Sequence, residues 1–229
     1  MGSSGEGGMK NPRDKVVDAM LVLAARHGYG DVTLGDIAHE AGLSLADLRD
    51  LFPSKGAIVG GLIRRIDRKV LDSLREAAPD GTARERLFTV LSRRLEALDP
   101  YRDSLAGLMD WARGDPLTLT ALNREVVNSM RYMLEAAEIE CDGPSGALKL
   151  QGLAFSWAKV IDAWISGGLA DGLNALDAEL TRGERYVAHA EDVARFSQPV
   201  FDALSRLAEM AGWRGGRRHP DDDFPHPGA

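Results

Sequence analysis

Two helix-start signals stand eleven residues apart near the N-terminus, and together they constrain the local fold more than any other feature of the chain. Thr33-Leu-Gly-Asp36 and Ser44-Leu-Ala-Asp47 each place a hydroxyl at an N-cap and a carboxylate three residues later. That reciprocal pattern closes two open backbone donors at the start of a helix. Ile37, Ala38 and Ala41 follow the first signal, and Leu48, Leu51 and Phe52 follow the second. Gly42 breaks the first unit, Pro53 stops the second, and Ser54 caps a longer helix beginning at Lys55. Short helix, tight turn, short helix is the helix-turn-helix shape. Ala41 and Gly42 supply the small side chains and the tolerance of positive φ that such a turn requires.

Placed at about 100° per residue, Leu48, Leu51 and Phe52 share the inward side of the second short helix. Ala46, Arg49 and Asp50 share the outward side, with Leu45 at the edge. A helix in this position is the one that enters a DNA major groove. Arg49 is the outward side chain able to donate two parallel hydrogen bonds to a guanine edge or a phosphate. Thr33, Ser44 and Lys55 lie at helix starts, where backbone N–H groups and the helix dipole favour a phosphate. The candidate DNA-binding residues are therefore Thr33, Ser44, Leu45, Ala46, Arg49, Asp50 and Lys55. A further helix precedes them, from about Pro12 to Arg26, with Val16, Met20, Leu23 and Ala24 on one face and Gly28 and Gly30 at its end.

Beyond Lys55 the pattern stays helical, and about nine or ten helices are expected in all. Period-two alternation and Asn-Gly hairpins are missing, and Gly and Pro cluster at the breaks. The helix from Lys55 to about Ala78 has an aliphatic face (Ile58, Leu62, Ile66, Val70) and a basic one (Arg64, Arg65, Arg68, Lys69). That basic face reads either as solvated surface or as a contact for flanking phosphates or an acidic membrane. Thr82 to Glu85 repeats the capping pattern, and Asp115-Pro116 opens a helix carrying Leu119, Leu122, Val126, Met130 and Met133. From Gly146 to Ile165 a wide apolar stripe (Leu150, Leu153, Trp157, Ile161, Trp164) reads as either central core or subunit interface. The first ten residues read as a flexible leader, and residues 211–229, rich in Gly, Pro and Asp, as a disordered tail.

Composition narrows the function. With 44% hydrophobic and 28% charged residues, the chain reads as a soluble globular protein. Its net charge of −7 argues against a surface that binds nucleic acid all over, and leaves room for one small binding face. The single cysteine, Cys141, excludes an intrachain disulfide framework and a multi-cysteine metal site. No spacing of His, Ser, Cys or carboxylates suggests a catalytic or metal constellation, so no enzyme, cofactor or metal is expected.

The stretch VTLGDIAHEAGLSLADLRDLFPSKGAIVGGLI resembles the DNA-binding domain of the tetracycline-repressor (TetR) family of bacterial transcriptional regulators. The matching residues are Thr33, Ile37-Ala38, Ala41-Gly42-Leu43-Ser44, Leu48, Phe52 and Ser54-Lys55, and with the preceding helix the likeness covers about residues 12 to 65. The resemblance implies an all-α, cytoplasmic homodimer, most often a repressor. Residues 11–56 would form the DNA-binding domain. Residues 57–210 would form a larger bundle for dimerisation and effector binding, with double-stranded operator DNA as the partner. By the same analogy, helices at about Ala147–Ser166 and within Asp177–Phe196 would form the dimer interface. Met109, Trp111, Met130, Tyr132, Met133, Phe155, Trp157 and Trp164 would either line a cavity for an apolar or amphipathic effector or simply fill the core.

Two departures weigh on that reading. Arg49 stands where the family usually has a tyrosine, and Asp50 where a neutral or basic residue is common. From Lys10 to Gly60 six Lys/Arg face seven Asp/Glu, so the module is nearly neutral. AWISGGLADGLNALDAELTRGERYV also resembles TetR-fold relatives of the lipid-binding accessory protein of ubiquinone biosynthesis. That likeness implies an alternative: a lipid- or isoprenoid-binding protein whose DNA-binding domain has degenerated.

Overall fold

Helix boundaries fall where caps and breakers stand in the sequence. The computed structural model describes residues 11–185 other than Asp115. The expected leader, the expected tail and the end of the second expected interface helix lie outside the described residues. Helix α1 (Pro12–His27) starts at Asn11, whose side chain accepts from the Arg13 N–H, and ends at Gly28. Helices α2 (Leu34–Glu40) and α3 (Leu45–Leu51) each begin with a complete capping box. Between them Gly42 adopts φ 67°, and the Leu43 N–H donates back to the Ala38 carbonyl at 2.9 Å. A left-handed residue with this return bond is the usual way to end a helix and turn the chain sharply.

Helix α4 (Lys55–Glu76) is next, then α5 (Ala83–Leu98), which opens with a third capping box at Thr82 and Glu85. A short 3-10 turn (Asp99–Tyr101) joins α5 to α6 (Arg102–Arg113). Helices α7 (Pro116–Ala136) and α8 (Gly143–Gly167) follow, and α9 runs from residue 169 to 185. The described residues hold these nine α-helices and no strand, the all-α class that the patterning implies. None of these helices is long and apolar enough to cross a membrane.

Helix α4 organises the packing. It lies against α1, α5 and α7, and it runs unbroken through the expected domain boundary at residues 56 and 57. Its aliphatic face, Ile58, Leu62, Ile66 and Val70, is fully buried. Each such side chain contributes about 1.5–3 kcal/mol on leaving water. One apolar core links Val16, Met20, Ile37, Leu48 and Phe52 at one end to Leu91, Leu95, Met130 and Trp164 at the other. The apolar stripe of α8 is mostly core: Leu150, Trp157 and Trp164 are buried, and Leu153 and Ile161 are half-buried.

A charged group sits inside this core. The Arg94 side chain, only 2% exposed, donates from Nε to Asp67 Oδ1 at 3.2 Å and from Nη2 to Ser129 Oγ at 2.9 Å. The Ser129 hydroxyl donates to the same Asp67 oxygen at 2.8 Å, and the guanidinium lies 4.7 Å from the Trp157 ring centroid. Burial lowers the Arg94 pKa, and the Asp67 carboxylate opposes that shift. The network ties α4, α5, α7 and α8 at one point.

Candidate nucleic-acid interface

The site is built by the local sequence. In α2 the Asp36 N–H donates to Thr33 Oγ1 at 3.1 Å, and the Thr33 N–H donates to Asp36 Oδ2 at 2.9 Å. In α3 the Asp47 N–H donates to Ser44 Oγ and the Ser44 N–H to Asp47 Oδ2, both at 3.1 Å. Bonds from Thr33 hold the Asp36 carboxyl below the usual range, and bonds from Ser44 do the same for Asp47. Both carboxylates are thus anchored beside the helix N-termini, where they also compete with any approaching phosphate.

Leu48 and Phe52 are 1% and 2% exposed, so α3 is fixed by its inward side. Leu51 is half-buried beside them. Ala46, Arg49 and Asp50 face solvent, as does Leu45 at 57% exposure. The surface of α3 therefore presents one guanidinium, the Asp50 carboxylate beside the capping Asp47, and two apolar contacts. Such groups can donate to guanine, accept from cytosine and touch a thymine methyl. The sequence reading did not single out Arg13, whose guanidinium lies 5.0 Å from the Phe52 ring centroid. It brings a second exposed cation to the end of α3. Its one sequence signal is a basic residue in the first turn of α1, which says nothing about where Phe52 will lie.

Lys55 departs from expectation. Its ammonium donates to the carbonyls of Tyr29 at 2.8 Å and Val32 at 2.7 Å. It also sits over the Tyr29 and Trp111 rings, at 4.7 and 5.3 Å from their centroids. Burial lowers its pKa, partly offset by Asp31. Instead of facing a phosphate, the amine closes the open carbonyls of the α1–α2 turn.

The eight candidate effector-pocket residues are divided between the core and the surface. Met130, Met133, Trp157 and Trp164 fill the core, and the Trp164 indole N–H donates to Asp99 Oδ1 at 3.0 Å. Trp111 packs on Tyr29 with ring centroids 4.7 Å apart, and Met109 is half-buried on α6. Tyr132 and Phe155 are exposed. The spacing that suggests a lining belongs mostly to helices whose inward faces meet each other.

Two open clefts lie elsewhere. One of about 430 Å³ runs between α4 and α5 beside Lys69, Glu76, Arg93 and Glu96. The other, about 400 Å³, runs between α4 and α7 beside Arg64, Asp67, Glu125 and Tyr132. Tyr132 is the one expected pocket residue that borders either of these two. Among the described residues no group of His, Cys, Asp and Glu is placed to hold a metal ion.

Comparison with known proteins gives the arrangement a context. No family model matches the sequence. The chain is 33% identical over 97 residues to the HTH-type transcriptional repressor KstR of Rhodococcus jostii, a match spanning 42% of this chain and 44% of that repressor. The fold matches a TetR transcriptional regulator from Nitrosomonas europaea with a TM-score of 0.60 and 22% identity, over 76% of this chain and 98% of that one. A TetR-family regulator from Streptomyces coelicolor matches with a TM-score of 0.52 and 19% identity, over 90% and 99% of the two chains.

Proposed function

We propose that this chain, which has the fold of the TetR-family regulators, is a homodimeric DNA-binding transcriptional regulator that acts as a ligand-responsive repressor. The observation that carries the reading is α3. Its apolar side is locked against the core, while Arg49, Asp50, Leu45 and Ala46 stand free at the surface next to a properly capped α2. The similarity to a helix-turn-helix repressor favours DNA over the lipid-carrier alternative.

In the dimer, two copies of α3 enter successive major grooves about 34–36 Å apart on a near-palindromic site. Arg49 reads a guanine edge and Arg13 contacts the flanking backbone. With few cations and the Asp36 and Asp47 carboxylates close by, affinity depends weakly on salt. The dimer forms through α8. Leu148 and Phe155 are 76% and 64% exposed and lie seven residues apart on one face, with the exposed Gly152 between them permitting close approach. An effector bound in the bundle releases DNA only if it favours a dimer geometry with the wrong spacing of the α3 pair.

Selection of bound fragments from random DNA at defined salt tests this. Enrichment of one near-palindromic sequence supports the reading. Enrichment of none, together with a co-purifying isoprenoid or phospholipid in native mass spectrometry, refutes it in favour of a lipid carrier. Phe155→Glu with Leu148→Glu should give a monomer by light scattering that no longer binds the selected duplex.

A further inference from the structure

We propose that Tyr29 and Trp111 form an aromatic clamp on the Lys55 ammonium, and that through it α6 fixes the turn before α2, making Trp111 a positioning residue for the DNA-reading helices. The proposal rests on the DNA-binding reading for its consequence and on geometry alone for the clamp.

The Lys55 amine bonds to two carbonyls of the α1–α2 turn, one of them on Val32, immediately before the N-cap Thr33. While bonded to both carbonyls the ammonium also lies against two ring faces, 4.7 and 5.3 Å from their centroids, close enough for each ring to attract the cation. Two further details show that the turn is shaped around these rings. A Cβ on Gly30 would come within 3.1 Å of Trp111 Cδ1, so residue 30 has no side chain where the indole presses in. The Tyr29 hydroxyl is buried without a hydrogen-bond partner among the described residues. Leaving a hydroxyl unpaired costs stability, so the ring face is what the structure uses.

Trp111 is anchored independently of the turn. At the start of α6, Arg102 donates to the Ile165 carbonyl of α8 from Nε at 3.2 Å and Nη2 at 2.7 Å. At its end Arg113 pairs with Asp162 of α8 at 2.8 Å. Helix α6 is thus a bar fixed to α8 at both ends, with Trp111 reaching from it into the DNA-reading unit. Helix α6 also packs directly against α1, and the Trp111–Lys55 contact extends that packing to the turn after α1.

Amide hydrogen exchange on the full chain tests the clamp. In Trp111→Leu, amides of residues 29–38 should exchange about tenfold faster, the change that a partly desolvated cation–π contact supports, while those of α8 keep their wild-type rates. Trp111→Phe should restore most of the protection and Tyr29→Phe should lose none. Lys55→Met should reproduce the local opening, and the double variant Lys55→Met with Trp111→Leu should add little to either. On the duplex selected from random DNA, Trp111→Leu should weaken binding about tenfold with the dimer mass unchanged. Wild-type exchange in the turn of Trp111→Leu, or fully additive effects in the double variant, would overturn the clamp. If Trp111→Leu unfolds the whole chain, fluorinated tryptophan placed at position 111 decides instead, because it keeps the ring's shape and weakens its attraction for a cation: faster exchange in residues 29–38 as fluorination increases supports the clamp, and unchanged exchange overturns it. If no duplex is selected at all, the DNA reading fails while the exchange result still judges the clamp.

Discussion

The helix-turn-helix and the bundle behind it satisfy most of their polar groups in different ways. In α2 and α3 the Asp36 and Asp47 carboxylates each bond to a hydroxyl and an N–H three residues away, at the surface. In the bundle the partners are far apart in sequence: Arg94 meets Asp67 and Ser129, Arg84 meets Asp177, and Arg86 reaches the Ala137 carbonyl. Local closure fixes the shape of a small unit and leaves its outer face free. Long-range closure locks several helices to one another and leaves a buried charge that depends on its partner.

Breaking each kind of closure separates them. Asp67→Ala strands the Arg94 guanidinium in the core and should lower unfolding free energy by about 3–5 kcal/mol in urea titration. Replacing both residues, Asp67→Leu with Arg94→Met, should recover much of that loss. A smaller loss in the single variant than in the pair would show that the charge is not buried as described. Leu48→Ala should cost about 2–5 kcal/mol, and exchange should localise the loosening to α1–α3.

The capping boxes should count for less. Thr33→Ala or Ser44→Ala should each cost about 1 kcal/mol, read as a small drop in melting temperature. Asp36 and Asp47 have folded pKa values below their unfolded ones. Their contribution is therefore present above the unfolded pKa and is lost as pH falls through the folded value, in the window below about pH 4. The two cap variants should flatten stability against pH in that window, and unchanged acid sensitivity would contradict the linkage. Asp72→Asn, which removes an exposed pair with Arg75 at 3.8 Å, should leave stability unchanged within error.

This contrast also explains what could be read in advance. The capping boxes, the inward Leu48 and Phe52 and the outward Arg49 follow from spacings of three and four residues, which a helix turns directly into position. Lys55 shows the limit of that reasoning. Its place at a helix start is legible, but the direction of its amine depends on where Trp111 arrives from α6. The same limit applies to the expected pocket, since helical spacing puts Met130, Met133 and Trp164 on inward faces without saying whether a space remains between them. The pairing of Arg94 with Asp67 left no trace in sequence, because a basic and an acidic residue on different helices look like ordinary surface charges until the bundle closes.

The most direct test of the central claim is the affinity of Arg49→Ala for the selected duplex and for random DNA, titrated side by side at fixed salt. Loss of about 1–3 kcal/mol of discrimination, with melting temperature and dimer mass unchanged, is the predicted result. Equal discrimination by wild type and variant would mean that α3 does not read DNA through its exposed guanidinium.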